Sequence, residues 1–135
     1  MTKKKVEKVL EQVESFLECW KQFNHYIGLA HAKKFKPEDE AHFLELKSLI
    51  VQQLEFVFAA IESGCPPKED VLNLISGAPS LRFLSELPEQ SLRALESQWH
   101  KIYIAWLSVL GQLKVHYQSD DSKSILGGIL KGKKE

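Results

Sequence analysis

The chain has 135 residues, 44% of them apolar and 10% aromatic, and its 18 lysines and arginines are matched by 18 acids. That length suits one domain with a sizeable core, and the composition excludes an intrinsically disordered chain. The charge is balanced but unevenly placed, net +4 over residues 1–36, −7 over 37–100 and +3 over 101–135, which argues against the dominant basic surface of a nucleic-acid binder.

A first helix is expected from about Lys4 to Lys34. Val6, Val13, Trp20 and Ile27 are spaced by seven, Val9, Phe16, Phe23 and Ala30 form a second row, and Leu10 and Leu17 begin a third, all on one face. "KFKPEDE" interrupts the pattern: proline suits a first helical turn, and Glu38, Asp39 and Glu40 favour the positive end of a helix dipole. The second helix should run to about Ser63, where "SGCPP" supplies a glycine stop and prolines, and the short break predicts an antiparallel hairpin. Residues 64–87 are too many for a structureless link in a compact domain. Within them "PPKEDVLNLISG" reads as a short helix, and "SLRFLSEL" as another turn or two. The last long helix is expected from near Pro88 to about Gln118, with Leu92, Trp99, Trp106 and Leu113 in one row and Leu95, Ile102 and Val109 beside it. Residues 119–135, "SDDSKSILGGILKGKKE", read as a flexible basic tail outside a bundle domain of residues 1–118. The expected fold is all-α: an up-down bundle of three long helices plus a short helical connector, with a flexible C-terminal tail.

The stretch "IYIAWLSVLGQL" (102–113) carries more apolar side chains than one core face needs. At 100° per residue, Ile104, Leu107, Gly111 and Val115 fall on a second stripe, about 80–160° around from Trp99. Gly111 costs roughly 1 kcal/mol relative to alanine inside a helix, and its missing side chain lets another backbone come close. On the second helix Leu49 and Phe56 lie outside the main arc of Phe43, Ile50, Leu54, Val57, Phe58 and Ile61, into which Lys47 intrudes. Either the connector covers the stripe on the last helix, where Val71, Leu72, Leu74, Ile75, Leu81, Phe83, Leu84 and Leu87 need burial too, or another chain does.

Residues with chemical potential are sparse. Cys19 and Cys65 lack paired metal or redox spacing and read as free thiols in a reducing compartment. Asp39-x-x-His42, and Glu96 four residues before His100, approach the spacing of di-iron bundles, but neither pair repeats on a matching helix, so no metal is expected. Asn24 and His31 fall in the apolar arc of the first helix and, with Trp20, could line a small polar pocket. "ILGGILKGK" has glycines and lysines but no phosphate-loop ending. The tail's Ile125, Leu126, Ile129 and Leu130 could anchor a short docking peptide. Arg93 and His100, in "RALESQWH", resemble the Arg-x(4–6)-His motif of the HEPN family of helical ribonucleases and nucleotide-binding proteins. The likeness implies a small helical, often dimeric bundle whose motif residues meet across the interface. Ala94 stands where that family carries a polar residue.

No nucleophile arrangement, membrane-spanning run or signal-peptide h-region appears. The expected function is that of a non-catalytic cytoplasmic protein-protein interaction module without cofactors. It would be an adaptor, chaperone or accessory subunit that self-associates, a homodimer or other homo-oligomer, through its apolar helix faces. A nuclease or nucleotide-binding bundle using Arg93 and His100, and a small-molecule-binding bundle, are the alternatives.

Overall fold

A computed structural model describes residues 2–61 and 64–130, with side chains to Gln118. Five helices follow one another: α1 (Lys3–Ala32), α2 (Pro37–Ala60), α3 (Lys68–Ser76), α4 (Leu81–Ser85) and α5 (Glu89–Leu130). No strand occurs among the described residues. The Thr2 hydroxyl accepts from the Lys5 N–H at 3.2 Å and starts α1. Lys33, in left-handed geometry at φ 57°, ends it, as the N–H groups of Lys33 and Lys34 bond back to Ala30 O and Leu29 O. Pro37 opens α2, and the Asp39 carboxylate accepts the Lys36 N–H at 2.8 Å. Gly64, at φ +95°, makes the turn that leaves this helix, a backbone state side-chain-bearing residues rarely adopt.

The heptad rows read from the sequence are the core. Val6, Val13, Trp20 and Ile27 of α1 are fully buried, as are Phe16, Phe23, Phe43, Ile50, Leu54 and Trp106. Trp20 and Trp99 lock α1 to α5: the Trp99 Nε1–H donates to Trp20 O at 2.9 Å, and the Trp20 Nε1–H to Trp99 O at 3.4 Å. Their rings are 8° from parallel, with centroids 6.1 Å apart. Phe16 and Phe58 both pack on Trp106, and Phe23 and Tyr26 on Phe43.

The direction of α5 departs from simple up-down alternation. Ser15 pairs with Gln53 and Phe23 with Phe43, so α2 runs antiparallel to α1. Trp20 pairs with Trp99, Phe16 with Trp106 and Lys3 with Tyr117, so α5 also runs antiparallel to α1 and therefore parallel to α2. The connector is thus a crossover. It leaves near the end of α2, where Lys68 pairs with Glu55 at 2.6 Å, and returns to the opposite end, where the Lys33 ammonium donates to Ser85 O. Residues 61–88 are long enough for that return because α3 and α4 give them packed structure. Glu40 fixes the arrival point: its carboxylate accepts the N–H groups of Leu81 (2.8 Å) and Arg82 (3.2 Å), while Ser80 Oγ accepts that of Phe83 (3.0 Å). These bonds satisfy the free donors at the start of α4.

Helix α5 continues to Leu130 instead of stopping near Gln118, because nothing in "SDDSKS" contains a proline or glycine to break it. The side chains of the docking candidates Ile125, Leu126, Ile129 and Leu130 lie outside the described residues.

Candidate interaction surface

The second stripe of α5 faces outward. Ile104 is 50%, Leu107 37% and Val115 66% exposed, and a Cβ built on Gly111 would meet nothing within 4 Å. Ser108, Gly111, Gln112, Val115 and His116 line a shallow depression at the glycine. The connector does not cover this stripe, because it lies on the other flank of the Trp99 row. There Asn73, Gly77, Phe83, Leu87, Ala94 and Gln98 form an open groove between the connector and the first turns of α5. Burial of Val71, Leu74, Ile75, Leu81 and Leu84 satisfies the connector's own need for cover, while Phe83 stays 46% exposed.

The Leu49–Phe56 row is a separate surface. Phe56 is 59% exposed, and both side chains line a groove between α1 and α2 with Lys8, Gln12, Ser15 and Gln53. The Gln53 amide donates to Ser15 Oγ at 3.3 Å. The chemistry there is mixed, with both charge signs and several amides, whereas the α5 stripe has Ile, Leu, Gly and Val in sequence. Leu44 on α2 is also half exposed, which the heptad reading did not single out. Its position on the flank of α2 next to Val51 and Phe58 is the signal that would have found it.

Lys47, the intruder in the α2 arc, is accommodated at the rim. Its ammonium donates to Pro79 O at 3.4 Å and lies 5.9 Å from the Phe43 ring centroid. Partial burial pulls it below the usual lysine range, and the Glu40 carboxylate opposes that shift.

The polar-pocket candidates do not converge. Trp20 is fully buried among Phe16, Phe23 and Trp99, with its N–H already bonded. Asn24 is half-buried, and His31 is on the surface with Nδ1 3.9 Å from a Glu96 carboxylate oxygen. Arg93 and His100 are both exposed, but Arg93 reaches back one turn to Glu89 at 2.9 Å, away from His100. Cys19 and Cys65 are free thiols, the first buried and the second half-buried. Burial raises both above the ordinary thiol range, and the Glu18 carboxylate adds to the effect at Cys19. Among the described residues no three His, Cys, Asp or Glu side chains gather as metal ligands, and no helix is long and apolar enough to cross a membrane.

No protein-family model, curated protein or solved structure matches this chain.

Proposed function

We propose that this protein works by binding protein, as a self-associating adaptor, chaperone or accessory subunit, and that the outward stripe of α5 is the surface it uses. One observation carries the reading. Ile104, Leu107 and Val115 are exposed along one face of a helix whose opposite face is locked into the core. Exposed apolar residues scattered singly need no explanation, but a contiguous row on a rigid element marks an association site. The free thiols accord with work in a reducing compartment such as the cytoplasm.

Sedimentation velocity over a rising concentration series tests the proposal. The intact chain should shift from monomer toward dimer by high micromolar concentration. Leu107→Glu should stay monomeric with its helicity and thermal midpoint little changed, because the side chain is not part of the core. A strict monomer at every concentration would remove self-association. Hydrogen exchange unchanged over residues 100–118 in the presence of other candidate proteins would remove the surface.

A further inference from the structure

The α5 stripe is complementary to itself, and this points to its occupant. About the level of Val109, Leu107 stands two residues before and Gly111 two after, while Ile104 stands five before and Val115 six after. His100 and Gln118, both exposed, stand nine before and nine after on the same azimuth. A two-fold interface requires each patch to match its own image, residue i meeting j and j meeting i. A parallel second copy meets it by setting each residue on itself, whereas an antiparallel one sets unlike residues together about Val109. We infer that two copies pair through α5 in antiparallel register, the Leu107 side chain of each seated in the open notch at Gly111 of the other. Ile104 then lies against Val115, and His100 and Gln118 close the ends as a polar rim. A parallel pair would set Leu107 on Leu107 and Gly111 on Gly111, which leaves one level crowded and the next empty.

Gly111 supplies the notch. A glycine in mid-helix costs stability relative to alanine, and among the described residues nothing lies within 4 Å of the place its side chain would fill. That open space is the room the partner's Leu107 side chain would occupy. The apolar rows extend only about 17 Å along the helix at 1.5 Å per residue. That is short of a standard interface of about 800 Å² per partner, so the pair should be weak and reversible.

The inference rests on the proposed self-association and can fail separately from it. Full-length Ile104→Cys and Val115→Cys chains, each in a Cys19→Ala, Cys65→Ser background, are oxidised alone and as a mixture. The mixture should form a disulfide-linked pair of one chain of each kind, and neither chain alone should cross-link efficiently. Gly111→Leu should weaken association by roughly tenfold or more, while slightly raising monomer stability, so the loss cannot be put down to misfolding. The double swap Leu107→Gly with Gly111→Leu restores a knob and a notch and should recover most of the association. Cross-linking of Ile104→Cys to itself, or tight association of the Gly111→Leu chain, overturns the register and leaves the wider proposal standing. A wild-type chain that never dimerises overturns both.

Discussion

Trp106 and Trp99 are both buried on α5, yet their indole N–H groups fare differently. The Trp99 N–H is 2.9 Å from Trp20 O, whereas the Trp106 N–H, between Phe16 and Phe58, has no acceptor among the described residues. A buried donor without a partner costs roughly 1–3 kcal/mol, and a satisfied one contributes about 1 kcal/mol. Trp99→Phe and Trp106→Phe remove the same volume, so their difference isolates the N–H. Trp99→Phe should destabilise the fold by about 1–2 kcal/mol more in urea titrations; equal losses would show that the indole nitrogens do not matter. The thiols make a pH prediction. A group whose folded pKa is raised stays protonated while its unfolded counterpart has ionised. Stability from Cys19 and Cys65 is therefore complete below the ordinary thiol range and is lost as pH climbs through it toward the raised values. Urea midpoints should fall between about pH 7 and about pH 10, and a Cys19→Ala, Cys65→Ala chain should fall less steeply over the same interval. Of these residue-level facts, burial of Trp20 and Trp99 is legible in the seven-residue spacing. Their exchange of hydrogen bonds is not, because it depends on how far two distant helices slide along each other.

At the scale of elements, the heptad rows identify the three long helices and their inward faces, and the prolines and glycines place most of the ends. What periodicity leaves open is which neighbour covers a second face, since it gives angles around one axis and nothing about what approaches. Connector cover for Ile104 and Leu107 therefore fits the sequence as well as cover by another chain does, and only packing shows α3 and α4 on the other flank. Glu40 is a similar case. Its place among Glu38 and Asp39 suggests a dipole acid at the start of α2, but its carboxylate instead holds the first two free N–H groups of α4, 41 and 42 residues away. Charged acceptors on helix N-termini are worth more than neutral ones. Glu40→Ala should therefore lower global stability by about 1–2 kcal/mol and, before that, open the connector locally. Amide exchange should accelerate at residues 81–85 while Val13, Trp20 and Trp106 keep their protection. Uniform acceleration across all five helices would mean that α4 is not a separately pinned unit.

For the whole molecule, the sequence leaves the direction of α5 undetermined, because an amphipathic row reads the same whichever way its helix runs. The parallel setting of α2 and α5 follows from where Glu40, Lys33 and Glu55 catch the connector, three contacts spread over the chain. That arrangement also fixes where the bundle ends. Lys3 opens α1 with its ammonium 5.0 Å from the Tyr117 ring centroid, and Gly64, beyond the end of α2, lies beside Gln112. Beyond Tyr117, then, α5 has run past the start of α1 and the close of α2, and Leu113 is the last buried residue described on it. Among the described residues, both the core and the apolar row from Ile104 to Val115 end before Gln118. A chain ending at Gln118 should consequently fold with a thermal midpoint within a few degrees of the full-length protein, a change of about 1 kcal/mol or less in a domain this size. It should also keep its concentration-dependent association. If truncation instead costs several kcal/mol, residues 119–135 contribute to the core. If stability holds and association vanishes, the contacts between copies lie in that C-terminal segment, and the row on α5 is not the surface through which they meet.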